Sequence, residues 1–398
     1  MDEKKLRTLL TSNKNKIKTK GLNHPIIFNL KSESDKRKLV LLFKKNKQLG
    51  IVDNFDSWLK ESFIIRNPKF KAEKDFNKNQ SYLEFCKQNN IDLKNKIFSG
   101  VWVFYPWKNQ LVHLIKESLY YEVLTARNKF LITKYEQDKF HKLKIGIAGL
   151  SVGQSAALTI ATLGGARNMK LADFDVLEGS NLNRIRGSVA EINESKCDIA
   201  ARQIYEINPY TNLSLYYEGL NDKNVDEFID SLDIIIDEID NFHIKALLRA
   251  KAKEKKIPLV MAFDTADGVV LDVERYDINS KQEPFFGRVD NKIFESLLKL
   301  TPDPIEIPKL VIRTMGKETI PDLFKSSILK VGTELSGVPQ LGSTAFLAGS
   351  LVAFAIKMIA SNSDINGRFY IDFRNLTKTK YTLNLNHREK EFFKKLIS

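Results

Sequence analysis

A doubly wound α/β fold with a mostly parallel sheet is the architecture this chain predicts. Three observations carry it: strands and helices alternate from residue 144 to residue 262, a glycine turn marks the first strand-to-helix junction, and an aspartate closes the second strand. The apolar run Lys144–Ala148 is the first strand, and Gln154–Ala161 has the small, apolar pattern of a buried helix. Met169–Ala172 is the second strand. Helix Lys196–Ile207 stops before Pro209, and strand Leu213–Tyr217, helix Val225–Ser231, strand Asp233–Asp237, helix His243–Lys255 and strand Pro258–Ala262 follow. Gly268–Tyr276 reads as a further strand. Asp277–Pro339 is a long crossover carrying Pro302, Pro304, Pro308 and Pro321, and segments of that length serve function or interfaces. Helix Ala345–Ala360, strand Arg368–Phe373 and a basic terminal helix complete the chain.

Ahead of this unit, residues 1–100 read as a mainly helical extension. Helices Asp35–Gln48 and Gln80–Gln88 stand between Asn- and Lys-rich loops. Residues 101–142 form a lead-in segment with a strand at Val101–Tyr105 and an amphipathic helix at Gln110–Leu124, and residues 143–398 form the α/β domain.

Charge divides the same way. The chain has 398 residues and a net charge of +14; residues 1–100 hold 23 Lys and Arg against 11 Asp and Glu, and the remainder 40 against 38. A basic extension suits RNA, an anionic surface or an acidic carrier protein, or else is a solvated face without a ligand. The longest apolar run, Ala345–Ile356, is broken by Gly349 and Ser350 and falls short of the roughly 18 residues of a membrane span, so no membrane role is expected. Met1–Lys5 has no apolar signal region, and Cys86 and Cys197 are the only cysteines. A cytoplasmic protein without a disulfide framework is the expectation.

The chemistry concentrates between Lys144 and Asn241. Gly149-Leu150-Ser151-Val152-Gly153 joins the first strand to its helix, where backbone N–H groups can approach a phosphate. Asp173 stands 24 residues after Gly149, near the spacing at which a carboxylate meets a ribose hydroxyl. These two features alone admit NAD as well as ATP. Ser151 and Gln154 occupy positions where G-x-G-x-x-G has glycine. Asn181, Asn183, Arg184 and Lys196 are phosphate-binding residue types that a dinucleotide site does not need, and Glu238-Ile239-Asp240-Asn241 places carboxylates at the carboxyl edge of the sheet. Asp240 is a candidate magnesium ligand, or alternatively the N-cap of the following helix. Gly149–Gly153 also spells G-x-S-x-G, a hydrolase nucleophile elbow with His243 or His387 as base, but that reading leaves Asp173–Asp175 and Asn181–Arg184 without a role.

Taken jointly, these motifs resemble the ThiF/MoeB-type adenylyltransferases, the superfamily that includes ubiquitin-activating enzymes. The matching residues are Gly149–Gly153, Asp173-Phe174-Asp175, Ser180–Arg184, Lys196 and Asp240-Asn241, within residues 125–375. The resemblance implies a Rossmann-like ThiF-type sheet and an ATP site built from Gly149, Ser151, Val152, Gly153, Asp173, Asp175, Asn181, Asn183, Arg184 and Lys196. It further implies magnesium on Asp240 and a homodimer in which Arg127 reaches the partner's nucleotide. Arg127, Arg184, Lys196 and Asp240 would be catalytic. The product would be an acyl-adenylate of a peptide or carrier-protein C-terminus or of a small acid. ATP-driven dehydration of a tRNA-linked carboxylate remains open within the family, and so does a non-catalytic nucleotide-binding scaffold. Val103–Trp107, Leu271–Asp277, Gly332–Ser336 and Pro339-Gln340 are similar to the ThiF-like half of proteins that continue into a nitroreductase-like domain, which implies a flavoprotein partner.

Two departures matter. The Cys-x-x-Cys pairs of MoeB-like members are missing and His24, His113, His141, His243 and His387 are scattered, so zinc is not expected. Residues 198–398 hold no cysteine to take the acyl group as a thioester. Cys197, beside Lys196 at a helix start, is either a thiol with lowered pKa or a buried packing residue.

Overall fold

A computed structural model describes residues 23–73, 75–299, 306–328, 330–379, 386–388 and 390–392. The first elements are β1 (Ile26–Phe28), α1 (Glu33–Lys45), β2 (Gly50–Asp53), α2 (Phe55–Arg66), α3 (Gln80–Gln88), β3 (Val101–Tyr105), β4 (Gln110–Leu114), α4 (Glu117–Leu124) and α5 (Lys134–Lys142). The nucleotide-type unit follows with β5 (Lys144–Ala148), α6 (Val152–Thr162), β6 (Asn168–Ala172), α7 (Lys196–Ile207), β7 (Asn212–Tyr216), α8 (Val225–Ile229), β8 (Ile234–Asp237), α9 (Phe242–Lys255), β9 (Leu259–Thr265) and β10 (Gly268–Glu274). Then come α10 (Asn291–Leu298), α11 (Glu306–Met315), α12 (Asp322–Ile328), α13 (Gly342–Ala360), β11 (Gly367–Asp372) and α14 (Phe373–Thr377). The predicted crossover therefore carries helices of its own. The basic terminal helix lies largely outside the described residues.

Seven strands form one sheet in the order β11-β10-β9-β8-β5-β6-β7. The strands from β9 to β7 run parallel, while β10 is antiparallel to both β9 and β11. From β5 the chain moves outward through β6 and β7, then returns to place β8 on the other side of β5. That reversal makes the carboxyl ends of β5 and β8 the switch point where such sheets bind ligands. Ala148 is paired with Ala172 on one side and Asp237 on the other, so the three strands end level.

Layers of helices bury both faces. Helices α6, α7 and α13 cover one through Ala156, Ile160, Ile204, Ala348 and Val352, and α8 and α9 cover the other through Phe228, Ile244 and Leu248. A Cβ on Gly349 would stand 2.5 Å from that of Ser155, so glycine permits the close packing of α13 on α6. By length and composition α13 could cross a membrane, but half of it is buried inside the fold.

A second sheet, ordered β1-β3-β4-β2, spans the boundary drawn at residue 100. The extension contributes β1 and β2, and the lead-in segment contributes β3 and β4. The helix expected at Gln110–Leu124 is corrected: Asn109 is left-handed (φ 50°), which turns the chain back, and Gln110–Leu114 pairs with β3 before the helix begins at Glu117. Leu111, Val112, Leu114 and Ile115 have the i, i+3, i+4 spacing of a helical stripe, whereas pairing with β3 makes the segment a strand. On one side of this sheet Phe63 packs among the rings of Phe70, Phe76, Tyr82 and Phe85. His113 is buried between Phe55 and Trp102, with its ring nitrogens 3.0 Å from Asp53 Oδ1 and 2.8 Å from the Ser99 carbonyl. The extension and the lead-in segment both dock on α7: His24 Nδ1 lies 2.9 Å from the Tyr205 hydroxyl, and Trp107 Nε1 donates to Glu206 (2.6 Å). Phe63→Ala should cost ~3–5 kcal/mol of stability in this lobe. Urea unfolding followed by tryptophan fluorescence measures it, and a loss below about 1 kcal/mol would contradict the ring cluster as its core.

Candidate functional site

Gly149 (φ 88°) ends β5 in a conformation that L side chains rarely adopt, and a Cβ there would lie 2.2 Å from the Glu238 carbonyl oxygen. Its N–H donates to the Ala172 carbonyl (2.8 Å). Asp173 fastens the turn from below. Its Oδ2 accepts the Leu150 N–H (2.7 Å) and its Oδ1 the Asp175 N–H (2.8 Å). Burial pushes the Asp173 carboxyl up, and the ammonium of Lys196 opposes that shift. Helix α6 starts at once, so the N–H groups of Val152 and Gly153 are among those without an intrahelical acceptor. A Cβ on Gly153 would lie 2.9 Å from Ile147 Cγ2, so glycine lets the helix begin close against the strand.

The two departures from the glycine pattern have structural work. Ser151 Oγ accepts from Arg184 Nε (3.3 Å). Gln154 Oε1 accepts the Arg186 N–H (2.8 Å), while its Nε2 donates to the Arg186 carbonyl (2.9 Å). Both side chains hold the segment after β6 against the glycine turn.

That segment supplies the cations. Arg184 Nη1 donates to the Ser180 carbonyl (3.3 Å) and to Asn183 Oδ1 (2.9 Å), so the guanidinium lies between the turn and the Gly179–Asn183 loop. Asn181 is buried and Oδ1 accepts the Glu178 N–H (3.1 Å). Asn183 Nδ2 donates to the Gln340 carbonyl (2.8 Å). Lys196, at the start of α7, is buried and forms a 2.7 Å ion pair with Asp175 Oδ2.

Opposite these cations stand carboxylates. Glu238 Oε1 accepts the Ala262 N–H (3.0 Å), and burial, with Asp237 and Asp264 nearby, raises its pKa well above the usual carboxylate range. Asp240 is exposed. Asn241, rather than Asp240, caps α9, its Oδ1 accepting the His243 and Ile244 N–H groups at 2.9 and 3.2 Å. Asp264 was not foreseen; the only signal was Asp264-Thr265 interrupting an apolar strand. Burial raises its pKa, Arg184 opposes the shift and Asp240 reinforces it, which places all three groups in one field.

Arg127 is not brought to this set. It is exposed, and its neighbour Asn128 donates to the Leu163 carbonyl (3.0 Å) beyond the far end of α6. An 11-residue helix separates that end from the glycine turn, about 16 Å at 1.5 Å per residue. His243 is not paired with Ser151, as a hydrolase base would be, because both its ring nitrogens are engaged elsewhere. His243 has Nδ1 2.7 Å from the Leu297 carbonyl and Nε2 2.9 Å from Asp222 Oδ1.

These positions agree with the motif spacing, and sequence comparison decides the family. The ThiF family model matches residues 125–392. The chain belongs to the ThiF family. It is similar to the uncharacterized protein MT1398 of Mycobacterium tuberculosis, with 35% identity over 272 residues, 68% of this chain and 38% of that protein. It is also similar to the molybdopterin-synthase adenylyltransferase of Haemophilus influenzae, with 30% identity over 146 residues, 35% of this chain and 59% of that protein. The chain thus spans well under two thirds of either relative. Among solved structures, the tRNA N6-threonylcarbamoyladenosine dehydratase of E. coli aligns at 20% identity with a TM-score of 0.44, over 62% of this chain and 96% of that one.

Cys197, the cysteine nearest the site, is not an activated thiol. It is buried with Sγ 3.4 Å from the Asp173 carbonyl, and burial pushes its pKa up to about 12. Burial raises that of Cys86 as well. At pH 8 both remain thiols, because the pH lies below the raised values, so the native protein should resist iodoacetamide and react only when unfolded. Rapid labelling of Cys197 in the folded protein, read by mass spectrometry, would contradict this.

Proposed function

We propose that this ThiF-family chain is an ATP-dependent adenylyltransferase that activates a carboxylate as its acyl-adenylate and releases pyrophosphate. The observation that carries this reading is the convergence of the glycine turn, Asp173, Arg184 and the Asp175–Lys196 pair on the switch point of the parallel sheet. The N–H groups at the start of α6 offer a phosphate cradle. Asp173 keeps unused lone pairs toward the turn, from which a ribose hydroxyl can be bound. The substrate carboxylate attacks the α-phosphorus in line while pyrophosphate departs.

Such a transfer asks for positioning and for positive charge on the phosphate oxygens. Arg184 is fixed over the turn by Ser151 and Asn183. Lys196 is held on Asp175, and arriving phosphate would compete for its ammonium. Among the described residues no group of three or more His, Cys, Asp or Glu could hold a metal. The all-oxygen edge around Asp240 instead suits magnesium bound by few carboxylates together with nucleotide phosphates. When bound there, the ion would neutralise phosphate charge.

Arg127 lies too far along α6 to serve its own site, so it would serve a second protomer's. Exposed Phe130 and Leu131 beside it and exposed Phe346 and Phe354 on α13 give a homodimer apolar surface to bury. With both cysteines buried, the adenylate would pass to a nucleophile outside the chain. The carboxylate belongs to a peptide, a carrier protein or a small acid.

Arg184→Ala should lower ATP–pyrophosphate exchange, screened over short peptides and small acids, by about 10²–10³. Arg127→Ala should be similarly impaired. Mixing the two variants should restore activity, because one site in each mixed dimer regains both arginines. Full exchange by Arg184→Ala would refute its role, and a mixture no better than its parts would refute Arg127 acting between protomers.

A further inference from the structure

One buried carboxylate oxygen at this edge has no partner. Asp264 is 6% exposed, and its Oδ2 makes no hydrogen bond. Its other oxygen, Oδ1, accepts from Gln340 Nε2 (3.1 Å), while the Gln340 carbonyl accepts from Asn183 Nδ2 (2.8 Å). Gln340 is therefore a strut between Asp264 and the loop that carries Arg184. The last paired residues of β8 and β9 are Ile236 and Val260. Past that pair Glu238 Oε1 takes the Ala262 N–H (3.0 Å), so the segment that leads to Asp240 still runs beside the strand that leads to Asp264.

A buried anionic oxygen without a donor is costly unless something binds it. Arg184, the cation in its field, turns its Nε and Nη1 to Ser151, Ser180 and Asn183 and gives Asp264 Oδ2 no hydrogen bond. Setting Asp240 and Asp264 beside a nucleotide triphosphate would place like charges together. A divalent cation removes that conflict, and oxygen ligands from one or two carboxylates plus phosphates are what magnesium accepts.

We propose that Asp264 Oδ2 is a second protein ligand, beside Asp240, for the divalent cation that accompanies the nucleotide, and that Gln340 is the residue that aims it. This assignment rests on the adenylyltransferase reading of the site. It gives β9 a function of its own and makes the segment before α13 part of the metal site.

Binding, not turnover, tests it. Mn2+ titrated by electron paramagnetic resonance, with adenosine 5′-(α,β-methylene)triphosphate present, reads the cation; calorimetry with AMP in the absence of metal reads the nucleotide pocket. Asp264→Asn and Gln340→Ala should each weaken Mn2+ about 10- to 100-fold and leave AMP affinity unchanged. If Asp264→Asn does not fold, Gln340→Ala, which keeps the carboxylate but releases it, carries the test. Wild-type Mn2+ affinity in the folded variants, with AMP still bound, would overturn the assignment while leaving the nucleotide site intact. Failure of the wild-type protein to bind AMP would overturn both.

Discussion

The site depends first on the carboxylate of Asp173. Its two oxygens take the Leu150 and Asp175 N–H groups, which join the turn after β5 to the end of β6. The groups proposed to handle phosphate are hung from those two points. The turn sets where α6 begins, and Asp175 receives Lys196. A neutral asparagine at 173 would keep the size but has only one acceptor oxygen, so one of the two N–H groups would face an NH2 donor instead. The residue proposed to face the ribose thus also builds the turn, so its two roles cannot be separated by simple removal.

The other edge of the switch point is held by a buried ion network. Arg249 is fully buried; it donates to Asp237 (2.6 Å) and Glu274 (2.8 Å), and its guanidinium lies 3.8 Å from the centre of the Phe285 ring. Lys245 and Arg249 hold the Asp237 carboxyl below its usual value despite burial. Breaking such a network strands buried charge, which costs far more than an exposed pair is worth. Asp237 directly precedes Glu238, whose carbonyl faces Gly149. The stability of the layer behind the sheet and the width of the nucleotide crevice are consequently set by the same strand end. On the other side, α7 connects the basic extension and the lead-in segment to Lys196, because Tyr205 meets His24 and Glu206 meets Trp107 while Lys196 meets Asp175.

The parallel sheet was legible because its signals are local. Period, glycine and closing aspartate located β5, β6 and α7 within a residue or two, and helix Lys196–Ile207 was placed at its observed bounds. The small sheet was not legible, since β1 and β2 are three and four residues long and are strands only because β3 and β4 lie beside them. At the site, spacing singled out Asp173, while residue type and the family pattern singled out Arg184 and Lys196. Neither joined Asp264 to Gln340: they meet across 76 residues, and no local pattern encodes that contact. Of the two readings of Cys197, the buried packing residue is the one the structure bears out. A helix start favours a thiolate, but the depth of the residue, invisible in sequence, wins.

The central claim is that the switch point holds adenosine triphosphate with a divalent cation rather than a dinucleotide. Thermal unfolding of the wild-type protein with Mg·ATP, and separately with NADH, tests it most directly. The account predicts a rise in Tm with Mg·ATP and none with NADH. A rise with NADH, or no rise with either ligand at millimolar concentration, would contradict it.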